Sequence, residues 1–215
     1  MAHSLAPRMQ NSSGMKRRML VLIAAVVTIA GVAVAGEPTD SLKARIDRVL
    51  LLLEEPGDRR AEIRKVADEI FDFEEMSRRA LGPHWHPRTP DERREFVSLF
   101  TDLLERSYLG RIESGRGGTV VYTGEAVTGD EGTVRTRVIT SQRAEVPVDY
   151  RMHRKNGSWR VFDVSVEGIS LVNNYRSQFN AVIQSSSYSA LVERLRSKES
   201  DAAASPPSPR RPRRD

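Results

Sequence analysis

Hydrophobic positions recur in this chain with two different periods, and the change between them divides it. From residue 42 to about 113 the spacing is helical. Leu42, Ile46, Val49, Leu50 and Leu53 form a stripe that stops at Pro56-Gly57. Asp58 is placed to cap a second helix, with Ile63, Val66, Ala67 and Ile70 inward. Asp72 to Glu75 has capping-box spacing before a short helix that ends at Gly82-Pro83. Thr89-Pro90-Asp91-Glu92 is a second capping box, with proline at the first helical position. It opens a long helix with Phe96, Leu99, Phe100, Leu103, Leu104 and Tyr108 on one broad face, ending near Glu113. Gly115 to Gly118 reads as a linker. As a phosphate loop it fails, because no Lys-Ser/Thr and no helix follow it.

Beyond that linker the period falls to two. Val120–Val127 and Thr133–Thr140 read as strands joined through Gly129 to Gly132. In the next strand Val146, Val148, Tyr150 and Met152 share one face, and Pro147, Asp149, Arg151 and His153 the other. Asn156-Gly157 is a strong hairpin signal, because a type I′ turn needs two residues that tolerate positive φ. The return strand, Ser158 to Val166, slips its apolar phase at Phe162, which implies a bulge or a strand covered on both faces. Gly168 breaks it. Helical spacing returns from Ser170, with Leu171, Val172, Tyr175, Phe179, Val182 and Ile183, and again after a polar break, with Tyr188, Leu191, Val192 and Leu195. The expected class is α+β: a four-stranded antiparallel twisted sheet packed against several helices. The apolar supply exceeds what one face of a small sheet needs. It can fill a core, or a cone-like fold can leave an apolar cavity between helices and sheet.

The ends change the picture. Met15-Lys16-Arg17-Arg18, the apolar run from Met19 and Ala33-Val34-Ala35 read as a signal peptide cleaved after Ala35, by the general or the twin-arginine route. The same stretch also permits an N-terminal membrane anchor. Residues 36–200 form a single domain, and residues 201–215, rich in Ala, Ser, Pro and Arg, read as a disordered tail. Of 34 Lys and Arg and 29 Asp and Glu, the body holds 26 and 27, so the basic balance of the chain lies in its ends. The body gives no case for a nucleic-acid partner. With no cysteine, disulfides, thiol catalysis and a lipidated N-terminal cysteine are all excluded.

Candidate chemistry is sparse. No nucleotide-binding, serine-hydrolase or zinc-protease motif occurs. His84 and His86 flank Trp85, but two imidazoles without a third ligand fit a turn that seats Trp85 on the core better than a metal site. Asp163 and Glu167 fit a polar strand end better than a catalytic pair. Arg176 could meet a phosphate or lie on a solvated helix face.

Two blocks carry a resemblance. The first is Asp72-Phe73-Glu74-Glu75-Met76 through Leu81-Gly82-Pro83-His84-Trp85, then Thr89-Pro90, Phe96, Phe100 and Tyr108. The second runs from Tyr150 through Trp159-Arg160-Val161-Phe162-Asp163-Val164 to Glu167-Gly168-Ile169-Ser170-Leu171-Val172-Asn173-Asn174-Tyr175-Arg176-Ser177-Gln178-Phe179. Together they resemble the MlaC / toluene-tolerance family of periplasmic lipid-binding proteins over about residues 40–198. His86 departs from the arginine expected after the tryptophan. The resemblance implies a soluble, monomeric periplasmic carrier of phospholipid, without cofactor or catalysis. Its implied partners are an inner-membrane ABC transporter complex with an MCE-domain subunit and an outer-membrane lipoprotein–porin complex. Other readings stay open: a carrier of another lipid such as a hopanoid, an adaptor that only docks membrane complexes, or a small-substrate enzyme on the same scaffold.

A carrier needs an apolar interior. Exposing the roughly 30 methylenes of a two-chain lipid, at about 0.8 kcal/mol each, costs on the order of 20 kcal/mol. Facing apolar patterns nominate Phe100, Leu104, Tyr108, Val148, Tyr150, Met152, Trp159, Val161, Val164, Leu171, Tyr175 and Phe179 for the wall, with Arg176 for the headgroup.

Overall fold

The computed structural model describes residues 38–114 and 117–197. The signal peptide, the C-terminal tail and half of the glycine linker expected from the sequence lie outside the described residues. The elements are α1 (Pro38–Glu54), α2 (Arg60–Ile70), α3 (Phe73–Leu81), a single 3-10 turn at Gly82–His84, α4 (Pro90–Ser114), β1 (Thr119–Thr128), β2 (Glu131–Ile139), β3 (Glu145–Lys155), β4 (Ser158–Val166), β5 (Ile169–Ser170), α5 (Leu171–Ser185) and α6 (Tyr188–Arg196). The class is α+β. No helix among the described residues is long and apolar enough to cross a membrane.

The helix starts follow their caps. Thr89 and Glu92 form a reciprocal capping box: the Thr89 N–H donates to the Glu92 carboxylate (2.8 Å), and the Glu92 N–H donates to the Thr89 hydroxyl (3.2 Å). Asp72 accepts the Glu75 N–H at 3.1 Å, but Glu75 turns its own carboxylate to Arg78 and Arg79 rather than back to the cap. α2 begins two residues after Asp58, whose carboxylate accepts the Arg60 N–H at 3.0 Å.

The strands form one antiparallel meander in the order β1-β2-β3-β4-β5. Asn156 (φ 52°) and Gly157 (φ 77°) make the tight turn between the paired Lys155 and Ser158. The sheet has five strands rather than the four expected. Glu167 (φ 52°) and Gly168 (φ 80°) make a second two-residue turn, which folds Ile169 and Ser170 back onto Val166 and Ser165. Gly168 therefore turns the chain instead of ending the sheet. The extra strand is two residues long, because Ser170 already caps α5 by accepting the Asn173 N–H, and so short a strand leaves no periodicity to read.

The phase slip at Phe162 is a bulge: Arg151 pairs with Asp163, but Met152 pairs with Val161. Phe162 is thereby turned to the opposite face from Val161 and Val164, and both faces of β4 are buried there. The far edge of β4 is closed by Phe71, which bridges to Val161, and by β5, so that β1 is left as the outer strand.

Two apolar clusters result. One joins α3, α4, α5 and α6 through Met76, Phe96, Phe100, Tyr175, Phe179 and Leu191. Its rings pack edge to face, with centroids 5.1 Å apart for Phe100 and Tyr175 and 5.3 Å for Phe100 and Phe179. The other joins α1 and α2 to the inner face of the sheet through Leu42, Val66, Met152, Trp159 and Val161.

Candidate functional site

Between these clusters lies a cleft of about 470 Å³. Its roof is helical: Ile46 and Leu50 of α1, Ile63 and Ala67 of α2, and Leu104, Tyr108 and Ile112 of α4. Its floor is the inner face of the sheet, with Val120, Val138, Val146, Val148, Tyr150, Val164 and Val166. Phe71, Phe73 and Leu171 complete the lining. Strand alternation produces the floor, because every second side chain of β3 points the same way. The helical roof arises from the i, i+3, i+4 stripes of amphipathic helices.

The wall is overwhelmingly apolar, and its charges sit on outward-reaching side chains. Arg60 pairs with Glu113 at 3.0 Å. Arg64 pairs with Asp102 at 3.3 Å and with Glu105. These exposed pairs tie α2 to α4 beside the cleft. Tyr150 lies deep in the floor with part of its surface toward the open space. Burial pushes its phenol up to about 12, against a hydrogen bond with Thr136 that lowers it. Burial also raises the Tyr122 phenol, with the charges of Tyr150 and Asp47 adding to it.

Of the twelve nominated wall residues, Leu104, Tyr108, Val148, Tyr150, Val164 and Leu171 line the cleft. Phe100, Tyr175 and Phe179 lie in the all-helical cluster. Met152, Trp159 and Val161 are buried in the sheet cluster with Leu42 and Val66 and do not line the cleft. The alternation of β3 is the same along its length. Only its Val146–Tyr150 half lines the cleft, while Met152 is buried in the cluster that also holds Leu42 of α1 and Val66 of α2. The α1 and α2 wall, Ile46, Leu50, Ile63, Ala67 and Ile70, is not among the residues that the sequence nominates. Their stripes were visible, but nothing in them says whether a stripe faces a core or a hollow.

Arg176 stands elsewhere. It lines a second hollow of about 250 Å³ with Arg78, Arg79, Gly82, Arg151, Asp163, Val172 and Asn173, none of which lines the cleft. Asp163 is buried, and both its oxygens are engaged: it accepts the Ser170 hydroxyl at 2.7 Å and the Val172 N–H at 3.1 Å, holding the start of α5 to β4. Asp72, also buried, contacts His153 at 2.9 Å and receives Lys155 at 3.0 Å. Burial raises its pKa, but the hydrogen bonds from Lys155, the Glu75 N–H and His153 outweigh that, and the carboxyl lies below the ordinary range. His84 bonds Asn180 at 2.9 Å, and Trp85 is buried in the helical cluster. No group of three or more His, Cys, Asp or Glu suited to a metal occurs among the described residues.

The family model described as MlaC protein matches residues 39–197, nearly all of the described fold. The chain belongs to the MlaC family. Among its relatives within and around this family, it is 26% identical over 188 residues to the toluene tolerance protein Ttg2D of Pseudomonas putida, covering 79% of this chain and 83% of that protein. It is 19% identical over 147 residues to the intermembrane phospholipid transport system binding protein MlaC of Haemophilus influenzae, covering 66% and 69%. The fold matches the solved structure of the phospholipid-binding protein from Ralstonia solanacearum in complex with a phospholipid. The TM-score is 0.70 at 26% identity, over 80% of this chain and all of that one. The MlaC family assignment thus agrees with the two sequence blocks that carried the resemblance.

Proposed function

We propose that this protein is a periplasmic phospholipid carrier of the Mla/Ttg2 type, which holds acyl chains in the cleft between α1, α2, α4 and the sheet. The observation that carries the reading is the cleft itself: about 470 Å³ of space behind an apolar wall that the side chains leave unfilled. A void of this size forfeits dispersion contacts and apolar burial. Filling it with acyl chains recovers about 0.8 kcal/mol for each methylene removed from water. A polar headgroup left at the mouth gains little by comparison and can stay solvated. The relatives named for phospholipid binding and phospholipid transport supply the ligand class.

In this reading the protein is not an enzyme. Asp163 is spent on the start of α5 and His153 on Asp72, so the buried polar groups serve the fold. The carrier exchanges lipid with an inner-membrane ABC transporter complex bearing an MCE-domain subunit, and with an outer-membrane lipoprotein–porin complex. Its sequence carries no nucleotide-binding motif, and energy for directed movement comes from the transporter.

The test is transfer of a fluorescent phospholipid from donor to acceptor vesicles across a gap that only soluble species cross. Substoichiometric protein should raise the rate in proportion to its concentration. No acceleration, with the protein folded, would overturn the carrier reading and favour an adaptor.

A further inference from the structure

The second hollow lies where α3 and the start of α5 meet the outer face of β3 and β4, and it gathers four guanidinium groups, those of Arg78, Arg79, Arg151 and Arg176. Arg79 and Arg151 both sit over the Phe162 ring, 4.0 and 4.9 Å from its centre. Two like charges are thus held against one aromatic ring. The acids nearby do not balance them. Glu75 is shared between Arg78 and Arg79, each at 2.6 Å. The exposed Glu131 reaches Arg79 only at 3.7 Å. Asp163 stands 3.8 Å from Arg151 with both oxygens already accepting from Ser170 and Val172. Arg176 has no acidic partner among the described residues.

The backbone is shaped around Arg176. Gly82 adopts φ 59°, and a Cβ there would come within 2.8 Å of the Arg176 Nε. Glycine therefore leaves room for the Arg176 guanidinium beside the 3-10 turn, at the edge of the hollow.

We propose that this hollow is a binding site for a phosphate-type oxyanion, separate from the cleft. Guanidinium forks match tetrahedral oxyanions through paired N–H donors. A phosphate offers four oxygens to several forks where a carboxylate offers two, and its charge answers the unbalanced excess. The site does not rest on the carrier reading, since no wall residue is common to the two hollows. The phosphate can be free or can belong to a lipid headgroup presented at a membrane surface.

The test uses the full chain in two arms. In the first, inorganic phosphate is titrated while the arginine Nε–H resonances are followed by NMR. Saturable shifts at Arg176 and Arg151 are expected, with affinity at least tenfold weaker in Arg176→Gln and in Arg151→Gln. In the second, sedimentation with vesicles of neutral phospholipid is compared with vesicles containing phosphatidic acid. Loss of the acid-dependent binding in Arg176→Gln assigns the phosphate to a headgroup. Unchanged vesicle binding with lost phosphate binding assigns it to a free phosphate. Arg176 is exposed, so the variant should keep the wild-type melting temperature, and Ala67→Trp in the cleft should leave phosphate binding intact. Absence of saturable phosphate shifts in the wild type, together with no preference for phosphatidic acid, would overturn the proposal.

Discussion

Ala67 offers the cleanest way to close the cleft. It sits on α2 with its methyl on the cleft wall and is only partly buried. A tryptophan there projects its ring into the space that the acyl chains are proposed to occupy. The added indole takes the room of about five methylenes, which at about 0.8 kcal/mol each removes about 4 kcal/mol of lipid burial. That corresponds to an affinity loss of about a thousandfold. The fold should tolerate the change, since the helix-propensity cost is at most about 0.7 kcal/mol and the ring buries itself in the hollow. Displacement of a fluorescent phospholipid reads the affinity, and a thermal melt reads the fold. Lys65→Trp, on the exposed side of the same helix, should bind lipid as the wild type does. An Ala67→Trp protein that melts normally and binds within twofold of wild type would refute the placement of acyl chains between α2 and the sheet.

Phe100→Ala should act on stability instead. The ring is buried among Phe96, Tyr175 and Phe179, and its loss should cost about 3–5 kcal/mol in denaturant unfolding. Gly82→Ala forces a Cβ onto a positive-φ position against Arg176, and should cost about 1–3 kcal/mol in the same assay. Asp72→Asn keeps a capping side chain but removes the charge that Lys155 and His153 meet. Because the Asp72 carboxyl lies below its ordinary value in the folded protein, its contribution is complete above the unfolded carboxylate range and is lost as pH falls through the folded value. The asparagine variant should therefore show a shallower loss of stability between about pH 5 and 2, the range of ordinary and lowered carboxylates. An unchanged slope would remove Asp72 from the account.

Much of this arrangement can be read in the sequence because local rules act strongly at particular residues. Asn156-Gly157 turns the chain where only residues tolerant of positive φ can. Thr89 and Glu92 open α4 by satisfying each other's N–H groups. The slip at Phe162 marks a real bulge. The fifth strand was hidden because a two-residue strand has no period, and Glu167 carries positive φ without being glycine. The division between core and cleft was hidden for a different reason. Val148 and Met152 belong to the same alternating face, but the first lines the cleft and the second is buried in the cluster with Leu42 and Val66. Which half of a face is covered depends on where distant helices cross it, and hydropathy records only that a residue is apolar. The arginine hollow was hidden likewise: Arg78, Arg151 and Arg176 are far apart in the chain and meet only after α3 and α5 pack on β4.

Native mass spectrometry of the protein purified from a bacterial periplasm, followed by solvent extraction, tests the carrier claim most directly. About one two-chain phospholipid per protein is expected, lost in Ala67→Trp and retained in Lys65→Trp. Protein that emerges without lipid and takes none up from liposomes would contradict it.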